Sequence, residues 1–212
     1  MPMLPEITGL KFLSKPHQYI LSQGSVTLQL PSVTQIMRFL SNEFYGYIAP
    51  VTLHKAADRG TRIHEATELL DECGWTPREE DTAGYIEAYE RWKNDFQPQI
   101  IAAEWRGYHR TMLYAGTVDR IIRLPDQETK GLVLVDIKNT STYHPLLVDV
   151  QLAGYAQMIE SWPNMKIEST WGLQLKPDGS YKFERTQSLL SMKSYFNMCY
   201  ALHNVVQKEK EA

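Results

Sequence analysis

The chain has 212 residues, 43% of them hydrophobic and 22% charged, with a formal net charge of −3. This composition is that of a folded globular protein of about one domain, and it excludes a disordered chain and a wholly basic nucleic-acid coat. The two cysteines, Cys73 and Cys199, rule out a disulfide scaffold, a four-cysteine zinc site and a cysteine-ligated iron–sulfur cluster. No apolar run approaches the ~20 residues of a membrane span, and the opening MPMLPEITGLKF lacks a signal peptide's apolar core. A cytoplasmic protein with no membrane partner is expected.

One domain over 1–212 is expected, as a hairpin and helix over 1–57, a core over 58–176, and a closing strand and helix over 177–212. Residues 17–30 predict two short strands around a Gln23-Gly24 turn. Ser32 and Gln35 have the spacing of a capping box, and Ile36, Phe39, Leu40 and Phe44 then form one apolar helical face. A second helix is predicted from about Asp58 to Cys73, with Ile63, Ala66, Leu70 and Cys73 inward and Gly74 ending it. A third, over about 81–96, carries Tyr85, Tyr89, Trp92 and Phe96 on one stripe. That spacing reads as core rather than as a base-stacking platform.

From 99 to 138 the period changes. Segments around 99–106, 109–114, 116–124 and 131–138 read as strands, the last two separated by the turn Pro125-Asp126-Gln127. Pro145 opens a fourth helix that stops at Trp162-Pro163. Residues 166–185 predict a hairpin around Lys176-Pro177-Asp178-Gly179. A closing helix fits 186–207, with Leu189, Met192, Phe196, Cys199 and Leu202 inward. This order of elements specifies a mixed α/β or α+β fold.

The chemistry concentrates in Gly116-Thr117-Val118-Asp119-Arg120 and in Leu132-Val133-Leu134-Val135-Asp136-Ile137-Lys138. Alternate residues of a strand share a face, so Asp136 and Lys138 point one way while Val133, Val135 and Ile137 point the other. Charged residues are rarely buried without partners. With Asp119 on a neighbouring antiparallel strand, two carboxylates and an ammonium converge on one small volume. Phosphodiester hydrolysis uses such a group: hard oxygen ligands hold Mg²⁺ or Mn²⁺ against a phosphate, and a lysine orients the attacking water or stabilises the transition state. Taken alone, an Asp-x-Lys at a strand end is most often ordinary surface.

The features around it form an ordered series. Gly60-Thr61-Arg62-Ile63-His64-Glu65 is followed by Glu104 in a strand, Gly116-Thr117-Val118-Asp119, Val135-Asp136-Ile137-Lys138-Asn139-Thr140 and Gln151-Leu152-Ala153-Gly154-Tyr155-Ala156. The series resembles the RecB-type branch of the PD-(D/E)xK nuclease superfamily. Leu30-Pro31-Ser32-Val33-Thr34-Gln35-Ile36 is similar to the opening segment of phage and mitochondrial genome-maintenance exonucleases of that branch. The resemblance covers roughly residues 30–176, with Val118 standing where the superfamily's name places a proline.

The resemblance implies a restriction-endonuclease-like core, a central mixed sheet flanked by helices. It implies Mg²⁺ or Mn²⁺ ligation by His64, Asp119, Asp136 and the Ile137 backbone carbonyl, Lys138 as the catalytic lysine, and Glu104 as a strand glutamate reaching the metal or its waters. Gln151 and Tyr155, four apart on one helix face, would contact the site or the DNA backbone, and Thr140, at the end of the strand motif, would support the site or bind DNA. The activity implied is end-dependent DNA hydrolysis without sequence specificity, in phage or bacterial recombination or replication, where a single-strand annealing protein is a further candidate partner. Phosphate contacts fall to arginines in or beside the motifs: Arg59, Arg62, Arg106, Arg110 and Arg120. A second reading is a catalytically inactive module that keeps the nuclease fold to bind DNA or protein; retention of Asp119, Asp136 and Lys138 argues for the enzyme. There is no phosphate-binding P-loop sequence, no Gly-x-Ser-x-Gly elbow and no second histidine to make a His-Glu-x-x-His zinc helix.

Overall fold

The computed structural model describes residues 4–125 and 131–211, so the expected turn at Pro125-Asp126-Gln127 lies, from Asp126 on, outside the described residues. The first elements are strands β1 (Leu10–Leu13), β2 (Gln18–Gln23) and β3 (Val26–Leu30), which form a small antiparallel sheet. The hairpin turning at Gly24 is as expected; β1 was not foreseen. Short helices α1 (Val33–Ile36) and α2 (Arg38–Tyr45) follow. Ser32 caps α1 through a complete capping box: its side chain accepts from Gln35 N–H, and the Gln35 side chain accepts from Ser32 N–H. The single apolar helix expected here breaks at Met37, and Phe39 is exposed rather than inward.

Helix α3 (Pro50–Cys73) starts a full two turns before the predicted Asp58, with Pro50 in its first turn. Those turns carry no apolar stripe, because Val51 and Leu53 face outward. Gly74 ends α3 in the left-handed conformation. On its inner face Ile63, Thr67 and Leu70 are buried, whereas Cys73, expected inward, is exposed. Helix α4 (Ala83–Phe96) buries Tyr85, Tyr89 and Trp92 as core.

The central sheet has the order β4 (Gln99–Tyr108), β5 (Ala115–Arg123), β6 (Leu132–Lys138), β7 (Ile167–Leu175) and β8 (Tyr181–Arg185). All neighbours are antiparallel except β6 and β7. A parallel pair needs a crossover, and α5 (Pro145–Glu160) supplies it. Residues 109–114, expected as a strand, instead form the β4–β5 turn. The His109 ring accepts from the Thr111 and Met112 N–H groups, closing the chain there; burial lowers the His109 pKa, which favours the neutral ring that can accept. The hairpin at Lys176–Gly179 is as expected, with Gly179 at φ 77.

Helices cover both faces of this sheet, giving an α+β protein with a mixed central sheet. Val133, Val135 and Ile137 pack with Ile63, Tyr89 and Trp92 under α3 and α4. Leu132 and Leu134 pack on the other face with Val148, Leu152 and Ala156 of α5, and with Phe196 of the closing helix α6 (Leu189–Glu211). Strand β6 is therefore buried on both faces, and its Leu-Val-Leu-Val run follows from that. Leu202, expected inward on α6, is 45% exposed because the packed stripe of α6 passes through Phe196, Tyr200 and His203 and leaves Leu202 to one side.

Candidate active site

Five elements meet at one end of β5 and β6. The register sets Arg120 opposite Val135 and Ile121 opposite Leu134, which brings Asp119 beside the end of β6. Asp119 Oδ2 accepts the Ile137 N–H at 2.6 Å, so one carboxylate oxygen is fixed by the neighbouring strand. Across β5 on the other side, Glu104 sits between residues paired with Val118 and Arg120. Its φ of 45° is in the left-handed region, uncommon for a residue with a side chain and here found inside a strand next to a polar cluster.

His64 enters from α3. Its Nδ1 lies 3.2 Å from Glu104 Oε1 and 3.7 Å from Asp119 Oδ1. One ligand atom from each of His64, Glu104 and Asp119 falls within 4.8 Å of the others. Burial opposes charge on the imidazole, but Asp119 and the Glu104 hydrogen bond outweigh it and hold the His64 pKa up at about 9. The acids thus hold a proton at a position where a divalent cation would replace it.

Asp136 stands just outside this trio and is 1% exposed. Its Oδ1 accepts from Gln151 Nε2 at 2.9 Å. Its Oδ2 is 2.7 Å from Lys138 Nζ, an ionic contact without hydrogen-bond alignment, so this buried oxygen has no directed donor. Burial, together with Asp119, pushes the Asp136 pKa up against the pull of Lys138. Burial also opposes charge on Lys138, yet Asp136 and Asp119 overcome it and keep the ammonium protonated. Gln151 ties the group together: its Oε1 accepts from Lys138 at 3.2 Å and its Nε2 also donates to Tyr155 at 3.1 Å. The Tyr155 ring lies against Gly116, where an added Cβ would stand 2.6 Å from the ring, so the strand approaches the helix only because residue 116 is glycine.

The donor set suits a hard cation. Carboxylates predominate, one imidazole joins them, and the undirected Asp136 oxygen is the kind of buried acceptor a divalent ion satisfies. The Ile137 contribution seen here is its N–H rather than its carbonyl. Glu104 takes a more central place than expected, and Asp136 a more peripheral one.

A cleft of about 720 Å³ opens over the trio; Glu65, Glu68, Glu104, Asp119, His64 and Arg106 are among its walls. A second cleft, of about 310 Å³ and largely apolar, opens on the Lys138 side between Tyr45, Tyr143 and Leu147, with Thr140 at its edge. Thr34 and Ala57 line both.

The predicted phosphate-contacting arginines are mostly engaged elsewhere. Arg120 is fully buried and reaches no surface. Its guanidinium donates to Asp71 (2.7 Å), Tyr89 (3.0 Å), Thr67 (2.9 Å) and the Asp119 carbonyl (2.6 Å), and lies 3.5 Å from Glu104. It props the site from behind. Arg62 is paired with Glu79 and donates to Asp81 at 2.9 Å. Arg59 lies over the Tyr85 ring, Arg110 over Trp162, and Arg106 over Phe12 at the cleft wall. Sequence reasoning missed Thr67 and Asp71, the partners of Arg120. The signal was present: His64, Thr67, Glu68 and Asp71 form a polar stripe at helical spacing on α3.

What fold and side chains define is an α+β protein with an acid–imidazole cluster and a paired lysine at the edge of its central strands. The chain matches no protein-family model, and no curated protein is similar to it at a significant level.

Proposed function

We propose that this chain is a metal-dependent DNA exonuclease with a restriction-endonuclease-like core, of the RecB-type branch of the PD-(D/E)xK nucleases. The observation that carries the reading is the convergence of His64 from α3 with Glu104 and Asp119 on adjoining strands beneath an open cleft, next to an Asp136–Lys138 pair whose lysine borders the neighbouring apolar cleft. Three acids crowded together are unfavourable unless cations compensate them; without an ion that falls to Lys138, Arg120 and the His64 proton, and a divalent ion would take the place of that proton.

His64, Glu104 and Asp119 would hold Mg²⁺ or Mn²⁺, with Asp136 beside them paired to Lys138. The ion would supply positive charge to the phosphate and acidify the attacking water. The remaining work falls to the chain. Lys138, kept charged by Asp136 and oriented by Gln151, presents an ammonium that holds the water in line or neutralises a phosphate oxygen as charge develops there. The Ile137 N–H fixes Asp119 so that its second oxygen faces His64. Arg120 holds the Asp119 backbone and lies near Glu104, which limits reorganisation on ligand binding.

The test compares linear and covalently closed DNA, single- and double-stranded, in Mg²⁺ and in EDTA, with Asp119→Ala and Asp136→Ala as controls. Degradation of the linear forms alone, lost in EDTA and in both variants, is expected. Discrete bands from closed circles would reassign the protein as an endonuclease. Absence of metal-dependent cleavage from every substrate would leave the inactive binding module.

A further inference from the structure

A nuclease cleft must attract a polyanion, yet the walls of this one are acidic. Glu65, Glu68, Glu104 and Asp119 outnumber Arg106 there, and burial with Glu104 and Glu72 raises the Glu68 pKa, a sign of crowded negative charge. Arg62 and Arg120 are unavailable, the first ion-paired and the second buried. Beyond what a bound ion and Arg106 would supply there, phosphate affinity has to come from another surface.

Such a surface lies on the far side of α1. A cleft of about 690 Å³ between β3, α2 and α6 is lined by Arg38, His203 and Lys210, with no aspartate or glutamate in its walls among the described residues. Burial lowers the His203 pKa, and Arg38 and Lys210 lower it further, as expected where positive groups gather without an acid. Amides of Asn42, Asn204 and Gln207 fill the polar wall. Phe39, the residue that fails to join the core, borders the same cleft at 45% exposure. The two clefts are separated by one turn of chain: Ser32 and Thr34 face the acidic cleft, Pro31 and Gln35 the basic one. Positive charge, uncharged hydrogen-bonding groups and an exposed aromatic ring are the elements of a groove that holds single-stranded nucleic acid, phosphates on the cations and a base on the ring.

We propose that the Arg38–His203–Lys210 cleft binds the single-stranded segment of DNA that continues from the acidic cleft across α1. This rests on the nuclease reading for the direction of the strand, but the cleft's affinity for DNA is separable from cleavage. A strand too short to cross α1 gains nothing from the cleft. A longer one gains at least two phosphate contacts, and a duplex cannot place Phe39 against a base.

The experiment uses fluorescence anisotropy in EDTA with the full-length Asp119→Ala chain and labelled oligothymidylates of about 4 and about 20 nucleotides, lengths bracketing usual single-strand site sizes. A blunt duplex of the longer length is the third ligand, and Arg38→Glu/Lys210→Glu and Phe39→Ala are made in the same background. The long strand should bind at least tenfold more tightly than the short one. The charge-reversal variant should abolish that advantage and flatten the log–log salt slope by about 1.4, at roughly 0.7 per phosphate contact on a single strand. Phe39→Ala should weaken the long strand about tenfold, the range of base–aromatic stacking, and leave the duplex unchanged. Equal long-strand binding by the charge-reversal variant overturns the proposal, as does duplex binding that is tighter than single-strand binding and sensitive to the same residues. Wild-type cleavage in Mg²⁺, measured alongside, separates the two ideas. Cleavage with no role for Arg38 and Lys210 removes the cleft alone. The expected binding pattern without cleavage keeps the cleft and removes the nuclease reading.

Discussion

Replacing Arg120 with alanine should weaken the fold and loosen the site, without touching the way DNA is gripped. The guanidinium is fully buried and satisfies Asp71, Tyr89, Thr67 and the Asp119 carbonyl at once. Removing one partner of a buried ion pair generally costs ~3–5 kcal/mol. Here Asp71 keeps Lys93 at 2.6 Å and the Tyr89 hydroxyl at 2.6 Å, so its charge is not stranded. That places the loss near the lower end, about 3 kcal/mol. For a chain of this size each kcal/mol moves the melting temperature by ~2–4 °C, so a fall of about 6–12 °C is expected. Urea unfolding of Arg120→Ala, Asp71→Ala and the double variant measures the coupling between the pair. Cleavage should fall through lost positioning of Glu104 and Asp119, whereas the salt dependence of DNA binding stays as in the wild type. A variant within 1 kcal/mol of wild type, or one whose salt slope drops as if a phosphate contact were gone, would refute the assignment of Arg120 to the interior.

Two further outcomes are expected. Lys138→Ala should keep Mn²⁺ binding by calorimetry, since an ammonium is not a ligand, while turnover falls on the order of 10²–10⁴-fold; loss of ion binding with the lysine would contradict that division of roles. For His64, the folded pKa of about 9 exceeds the ordinary 6.5. The stabilisation from its proton is therefore fully present below pH 6.5 and lost as pH rises through 9, in all about 3 kcal/mol in metal-free protein. Thermal melts in EDTA across that range should show the decline, and His64→Asn should flatten it; an unchanged slope in the variant would count against the acid–imidazole coupling.

Period and capping carried most of the fold. The Ser32–Gln35 box, the α4 aromatic stripe, the doubly buried β6 run and the Lys176–Gly179 turn all follow from local rules that the tertiary structure does not override. The failures have distinct causes. At 109–114 the residues have strand composition, but the His109 side chain satisfies backbone N–H groups and so stabilises a turn. Phe39, Cys73 and Leu202 have the right spacing to be inward, but the helix expected to carry Phe39 breaks at Met37, Cys73 is the last residue of α3, and Leu202 lies off the packed stripe of α6. In the site, strand alternation was enough to put Asp136 and Lys138 together. It could not reveal that Glu104 adopts a left-handed conformation, or that Arg120, one residue beyond a proposed ligand, points into the interior. Those depend on contacts between residues some 15–50 positions apart, for which the local pattern carries no signal.

The dispersal of the site along the chain has a consequence for how the protein is made. His64 comes from α3, Glu104 from β4, Asp119 from β5, Asp136 and Lys138 from β6, and Gln151 from α5. Because β6 pairs in parallel with β7, its register is completed only after the α5 crossover has been synthesised and the later strand has docked. A chain leaving the ribosome N-terminus first holds each donor long before it can hold them in place. Truncated or half-folded products therefore lack the assembled centre, and the proposed activity would wait for the finished sheet.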